Sequence, residues 1–410
     1  MTTIKLGVLR ESWPKEARVA VVPASIPELS KSGFEVWVEA GAGRAAGYSD
    51  DEYASKGARV TSSRAEVLAS AVLLQVWAAG LSPDDEDLER LAPGTIVVGL
   101  VDPLGRPARA QVVAARGVTL VALEMIPRIT RAQSMDVLSS MATISGYKAV
   151  LLAAERLPRM FPMLMTAAGT ISPARVFVIG AGVAGLQACA TAKRLGAIVR
   201  AYDVRAAVKE QVQSVGAKFV EIAVAAGDAE DKGGYAKALG EDFYERQRAL
   251  MAEVVAESDV VITTALIPGQ KSPVLVTEPM VKSMARGSVI VDLAAERGGN
   301  CALTKPDQTI DAEGVLVLGP TNLPSTVPFH ASQMYSKNVT SLLKQIYRKD
   351  SRDLNFDDEI TRAVVVASGG KVVLERVRGL LDEASGSATG SASGSASGSA
   401  GASTGVSEGA

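Results

Sequence analysis

The stretch that decides the fold is Val176-Phe177-Val178-Ile179-Gly180-Ala181-Gly182-Val183-Ala184-Gly185. Four apolar, strand-forming residues run straight into G-x-G-x-x-G, and a helix-prone segment, Leu186–Leu195, follows. Each glycine has its own task. Gly180 permits the tight turn, Gly182 lets backbone approach a pyrophosphate, and Gly185 lets the helix pack closely on the strand. The helix start then presents unpaired N–H groups and a positive dipole end to phosphate. A lone G-x-G-x-x-G is a weak signal, but here Asp203 ends the next expected strand, Ile198–Tyr202, at the place of an acceptor for a ribose 2′-OH. A carboxylate there repels a 2′-phosphate, so the pattern favours NAD(H); Arg205, two residues on, softens that preference.

Working outward, further runs read as strands of the same series: Arg175–Ile179, Lys218–Glu221, Val260–Thr264, Ser288–Leu293 and Val315–Leu318. An earlier series occupies the first 125 residues, at Ile4–Leu9, Glu35–Val38, Val72–Val76, Ile96–Leu100 and Val118–Leu123, with helix-like segments between. Such alternation indicates βαβ units and a parallel sheet, and the near-continuous apolar runs fit strands covered on both faces. Residues 134–157 and 331–348 read as long helices connecting the two series, with the chain returning to the first at its end. The expected class is therefore α/β: two Rossmann-like, doubly wound parallel-sheet domains joined by long helices. One comprises 1–133 plus 325–383 and the other 134–324. From Ala384 to Ala410 the composition collapses to Gly, Ala, Ser and Thr, with Val406 and Glu408 as exceptions, and reads as a flexible tail.

Composition narrows the function. The chain has 410 residues, 47% hydrophobic and 21% charged, an ordinary globular balance that allows two to three domains. Lys plus Arg number 43 against 45 Asp plus Glu, which argues against a nucleic-acid or anionic-membrane binder. Two cysteines, Cys189 and Cys301, build no disulfide framework and fit a reducing compartment; Cys189 reads as a buried apolar residue. The single histidine, His330, excludes a multi-His metal site and lacks a nearby acid or thiol, so it reads as structural. No metal site is expected. No uninterrupted apolar run of membrane-spanning length and no leader-like segment is expected either.

Three more segments carry polar groups in suggestive places. Arg128 to Ser139 offers a cation (Arg128), an amide (Gln133), a carboxylate (Asp136) and a hydroxyl (Ser139), with Asp136 and Ser139 at i and i+3 if a helix starts near Ser134. Such a set suits a nicotinamide carboxamide and its ribose, and equally suits a helix cap with a solvated polar face; Tyr147 follows two turns later. Asp228 to Gly240 carries Gly233-Gly234-Tyr235 and reads either as a lid over a cofactor or as an ordinary surface loop. Val260–Gly269 ends a strand where ligands sit in doubly wound sheets, so Thr264, Ala265 and Leu266 are either cofactor neighbours or a plain strand–loop junction. The cofactor-binding candidates are Gly180, Gly182, Val183, Gly185, Asp203, Val204, Arg205, Gly234, Tyr235, Thr264, Ala265 and Leu266.

Together, Glu11–Pro23, Arg128–Ser139, Gly180–Gly185 with Asp203, Gly233–Tyr235, Thr263–Gly269 and Asp292–Asn300 resemble the NAD(H)-binding domain I of proton-translocating nicotinamide nucleotide transhydrogenases. The resemblance covers roughly residues 1–380, and the R-x-x-R-A-Q-x-x-D run from Arg128 to Asp136 is its most specific stretch. The length is similar to the separate soluble α1 subunit of split bacterial forms, and the fold is similar to alanine dehydrogenase. The resemblance implies that this chain holds NAD(H), that a partner subunit holds NADP(H), and that hydride passes directly between them, coupled to proton movement by a membrane subunit. It implies that Arg128, Asp136 and Ser139 orient the dihydronicotinamide, that Gln133 sits where the two cofactors meet, that Tyr147 supports that site, and that Tyr235 lies on a closing loop. It also implies a homodimer that is cytoplasmic and peripheral to the inner face of the cell membrane.

Two other readings compete. An alanine-dehydrogenase-like enzyme needs a proton-transfer group and a cation for the substrate carboxylate. Arg18 offers the cation, but Gln75 stands where that family has a lysine, Glu296 stands near its aspartate, and no histidine lies near Asp102. A non-enzymatic NAD(H)-sensing module shares the cofactor motifs, because they encode binding and not turnover.

Overall fold

The structure, a computed structural model, describes residues 3–79, 86–221, 241–267, 269–348 and 353–392. Two large sheets dominate it. The first has eight strands in the spatial order Lys371–Val372, Val365–Ser368, Thr119–Ala122, Ile96–Leu100, Val72–Trp77, Ile4–Val8, Phe34–Glu39 and Arg59–Thr61. The six from Thr119–Ala122 to Arg59–Thr61 are parallel to their neighbours. The second has seven strands in the order Lys218–Phe219, Ile198–Tyr202, Arg175–Ile179, Val260–Thr263, Val289–Asp292, Val315–Leu318 and Thr309–Ala312, all parallel save the last.

Side-chain alternation explains why the strands read as continuous apolar runs. In the first sheet Val72, Leu74 and Val76 enter one core while Leu73 enters the core on the opposite face. In the second, Val176 and Val178 face one core, and Phe177 and Ile179 face the other. With both faces covered, both sets of positions are apolar along most of each strand, and the buried polar residues among them, Gln75, Thr263 and Asp292, are hydrogen-bonded.

The class is α/β as expected, with one modification: both sheets carry antiparallel edges. Val365–Ser368 lies antiparallel to Thr119–Ala122 and pairs with Lys371–Val372 across a turn at Gly369 and Gly370, which adopt φ of +58° and +77°. Thr309–Ala312 turns back onto Val315–Leu318 through Glu313 and Gly314, also at positive φ. Both are two-residue hairpins whose turns suit the twist of the flanking strands.

One of the two long helices differs from expectation. Val137–Arg156 spans both halves: Val137, Met141 and Ile144 belong to the first sheet's core, and Ala149, Val150 and Ala153 to the second's. By length and composition this helix is apolar enough to cross a membrane, but both its ends are committed to these cores. Pro328–Ile346 does not bridge; its buried face, Tyr335, Val339, Leu342, Leu343 and Ile346, packs wholly on the first core. The crossing is made just before it, at the turn Leu323–Thr326, where Leu323 still packs in the second core. Finally, Glu375–Ala392 is helical and so runs into the stretch read as a tail.

Candidate dinucleotide site

Strand order in the second sheet reverses between Arg175–Ile179 and Val260–Thr263, and ligands of open α/β sheets bind outside the carboxyl ends at such a point. Gly180 leaves the first of these strands at φ +98°, where a Cβ would stand 2.5 Å from Thr264 Oγ1. The Thr264 hydroxyl donates to the Gly180 carbonyl at 3.1 Å, so the two strand ends are tied together. A methyl on Gly185 would overlap the Gly180 carbonyl oxygen outright, which is why helix Val183–Arg194 can sit so close to the turn. At Gly182, by contrast, a Cβ would meet nothing within 4 Å. Gly182 caps the helix without any side-chain hydrogen bond, so its first-turn N–H groups have no capping acceptor. This is the room and the donor set that a pyrophosphate requires.

Asp203 is buried at the end of Ile198–Tyr202. Its Oδ2 accepts from the Ala181 N–H at 2.7 Å, which pins the glycine turn. Arg205 clasps the same carboxylate, with Nε to Oδ1 and Nη2 to Oδ2, each at 2.9 Å, and its own N–H also donates to Oδ1. A ribose hydroxyl therefore has to share Asp203 with Arg205. Val204 is half-buried against the second core.

Behind Thr264 lies a scaffold whose roles the sequence does not disclose. Asp292 is fully buried and accepts from Thr263 Oγ1, Thr304 Oγ1 and the N–H groups of Ala294, Asn300 and Cys301. Asn300, also fully buried, pairs through its amide with both the N–H and the carbonyl of Ala265 at 2.9 Å. The amide of Asn300 thus fixes the Ala265 backbone, and the Asp292 carboxylate fixes Asn300 and the Thr263 side chain. Around the turn, Val183, Leu266 and Tyr147 remain exposed in spite of their apolar bulk. A flat apolar ligand surface would cover such groups.

Helix Val137–Arg156 packs on helix Val183–Arg194, and Gly146 is the closest point: a methyl there would overlap the Ala184 carbonyl. Tyr147 is the next residue. Arg128 and Gln133 are exposed, the latter in the 3-10 turn Thr130–Met135, which Met135 and Ala132 anchor in the first core. Helix formation starts at Val137 instead of near Ser134. Asp136 is the N-cap, its Oδ1 accepting from the Ser139 N–H at 2.8 Å while the Ser139 hydroxyl donates to Oδ2. The capping geometry and the polar pair are thus the same two side chains, about 15 Å along the helix from Gly146. Arg131 turns away to Asp358 and Glu359. Gly234 and Tyr235 lie outside the described residues. Cys189 is fully buried in the nucleotide helix, its thiol pushed up to about 12 by burial. His330 is exposed, edge-on to Phe329.

The first sheet contributes a second polar cluster at its own carboxyl edge. Arg18, only 2% exposed, is held along one edge: Nε and Nη2 donate to the two oxygens of Glu16 at 2.8 and 2.7 Å, and Nη2 also reaches Asn322 Oδ1 at 3.0 Å. Trp77 Nε1 and Asn322 Nδ2 donate to Glu16 as well. Burial alone would raise the Glu16 pKa, but the hydrogen bonds and charge of Arg18 overcome it and hold the group down at about 2. Glu11 and Glu124 behave oppositely. Each is half-buried and accepts backbone N–H groups, Glu11 from Val76 and Trp77, Glu124 from Val101 and Asp102. Desolvation pushes them up to about 8 and about 7. The signal for this cluster in the sequence is a run of charges in Glu11–Arg18 directly after an apolar strand.

The family description "Alanine dehydrogenase/PNT, N-terminal domain" matches residues 7–145, and "Alanine dehydrogenase/PNT, C-terminal domain" matches 149–375. The chain is 42% identical over 381 residues to the first polypeptide of a divided NAD(P) transhydrogenase subunit alpha from Rhodospirillum rubrum, covering 92% of this chain and 99% of that one. A solved transhydrogenase structure from Sinorhizobium meliloti superposes with a TM-score of 0.80 at 43% identity, covering 90% of this chain and all of that one. Alanine dehydrogenase of Bacillus subtilis is 29% identical over 381 residues, 91% of this chain and 93% of that protein.

Proposed function

Since the chain belongs to the alanine dehydrogenase/PNT family, we propose that it is the NAD(H)-binding component of a proton-translocating NAD(P) transhydrogenase. NADP(H) is then held by a partner subunit, proton movement is coupled by a membrane subunit, and the chain works as a homodimer at the cytoplasmic face of the membrane. The domain division into 1–133 plus 325–383 and 134–324 belongs to the same reading.

The observation that carries the choice between the two family activities is the state of Arg18. Its Nε–Nη2 edge is taken by Glu16 and Nη2 also donates to Asn322, so an amino-acid carboxylate meets only the Nη1 donors and has to compete with Glu16 or Asn322 for a bidentate grip. The dinucleotide cradle, by contrast, is open at Gly182.

When bound, NADH supplies the hydride. The chain's residues bind and position. Gly180, Gly182, Val183 and Gly185 hold the pyrophosphate; Asp203, with Val204 and Arg205 beside it, holds the adenosine ribose; Thr264, Ala265 and Leu266 line the route towards the nicotinamide, the Ala265 backbone held by Asn300. Asp136 and Ser139, already bonded to each other, orient the carboxamide and its ribose together with Arg128. Gln133, exposed on its 3-10 turn, meets the partner's nucleotide. Tyr147 backs the ring, and Gly234 and Tyr235 close over it. No side chain is asked to move a proton; the rate comes from holding two rings in register and keeping water away.

The test is an NADH titration of the purified chain, followed by addition of an NADP+-loaded transhydrogenase partner domain, with L-alanine and with pyruvate plus ammonia as parallel substrates. Binding, with turnover only in the presence of the partner domain, is expected. Turnover of alanine by the chain alone refutes the proposal in favour of a dehydrogenase, and binding with neither activity leaves an NAD(H)-sensing module.

A further inference from the structure

A cleft of about 860 Å³ opens at the carboxyl edge of the first sheet, beyond Ile4–Val8 and Phe34–Glu39. Every residue lining it lies between Arg10 and Asp50, so it shares nothing with the dinucleotide cradle. Its size is that of a small-molecule site. It also lies beside the point where the first sheet's strand order reverses, between Ile4–Val8 and Val72–Trp77.

The charge in this cleft is unbalanced in a specific way. Arg18 and Glu16 cancel each other. Glu11 is half-buried and accepts from the Val76 and Trp77 N–H groups, and desolvation pushes its pKa up to about 8. Asp50 is engaged with the Gly41 N–H at 2.8 Å. Arg10 and Arg44 also line the cleft, and neither guanidinium has a hydrogen-bond or ion-pair partner among the described residues. Two forked cations thus face a cavity whose acids are paired or hydrogen-bonded. Guanidinium groups match anions that offer two or more oxygens. Tyr48, stacked on Phe329 with ring centroids 4.9 Å apart, supplies a rigid wall.

We propose that this cleft is a second ligand site, in which Arg10 and Arg44 hold the phosphate or carboxylate group of a small anion. The site is independent of NAD(H) binding and of the transhydrogenase reading.

The test is calorimetric titration of the full chain, in low-salt buffer without phosphate and with NADH saturating, using inorganic phosphate in one arm and malonate in the other. Saturable binding in at least one arm is expected, and the arm that binds identifies the head group. Arg10→Gln with Arg44→Gln should weaken that binding at least tenfold and leave the melting temperature and NADH affinity unchanged. Arg44→Lys, which keeps the charge and loses the fork, should fall between. The proposal is overturned if neither anion binds, if binding persists in the double variant, or if that variant loses NADH affinity in parallel.

Discussion

Gly146→Ala tests how the two halves of the protein are held. In an ordinary exposed helix, replacing glycine with alanine stabilises by up to about 1 kcal/mol. At Gly146 the new methyl would overlap the Ala184 carbonyl oxygen and stand 2.9 Å from its carbon and 3.1 Å from Ala184 Cα. Ordinary contact begins near 3.4 Å, so the helices must separate by at least about 0.5 Å, and further to clear the oxygen. The obstacle is backbone and cannot rotate aside. Overpacking costs about 1–3 kcal/mol, and a backbone clash lies at the upper end, so the net loss after the propensity gain is about 2 kcal/mol. Ala184 is in the first turn of the nucleotide helix, two residues from Gly182, so the glycine cradle shifts with it. NADH affinity should fall about tenfold, equivalent to about 1.4 kcal/mol. The assay is urea unfolding and NADH titration of Gly146→Ala beside Gly379→Ala, whose methyl would meet nothing within 4 Å in the final helix. Gly379→Ala should be neutral or stabilising. Unchanged or increased stability of Gly146→Ala refutes the packing argument, and lost stability with unaltered NADH affinity refutes its coupling to the cradle.

Other outcomes follow from the same geometry. Gln133→Asn should slow hydride transfer in the reconstituted system at least tenfold while NADH binding changes little, because Gln133 is exposed and outside the cradle; equal loss of both contradicts a role between the nucleotides. Asp203→Ala should weaken NADH binding by about 10–100-fold, the worth of a hydrogen bond to a charged group. It also frees Arg205 from its clasp, so discrimination against NADPH should narrow, and parallel titrations of the two nucleotides read both effects. Glu11 and Glu124 are raised from an ordinary 4.5 to about 8 and about 7, so the folded protein binds the extra protons. Their contribution to stability is complete below pH 4.5 and is lost as pH rises through 7 and 8. Urea midpoints at pH 5 and 8.5 should therefore show a decline that Glu11→Gln reduces; an identical decline in the variant rules out Glu11 as its source. Glu16, lowered to about 2, acts in the opposite sense: its contribution is present above pH 4.5 and is lost as pH falls towards 2.

How much of this was legible in the chain depends on the range of the interactions involved. The strands Ile96–Leu100, Arg175–Ile179, Ile198–Tyr202 and Val315–Leu318 lie where their apolar runs place them, because a strand buried on both faces writes its own pattern locally. The final hairpin at Val365–Val372 is not legible in this way, although Gly369-Gly370 between valine-rich runs marks it, since its partner, Thr119–Ala122, is some 240 residues away. The tasks of Gly180, Gly182 and Gly185 were readable too, because strand, turn and helix are consecutive, although the atoms that crowd Gly180 belong to Thr264 and Ala265, more than 80 positions away. The double character of Asp136 and Ser139, cap and polar pair at once, was open in the sequence. It was decided by where the helix begins, which the burial of Met135 and Val137 in the first core determines.

Arg18 shows the other limit. From the chain it is a cation available to a carboxylate. In the fold it is spent on Glu16 and on Asn322, 304 positions away, and no local pattern announces a contact of that span. The half-buried carboxyls Glu11 and Glu124 are likewise ordinary acids in the sequence; only the closing of strands and helices around them gives the desolvation that raises their pKa. Local periodicity and turn chemistry are encoded residue by residue, so the sequence by itself determined the α/β class and the nucleotide turn. Charge pairing and desolvation depend on what the whole chain brings to one place, and those the tertiary structure alone decided.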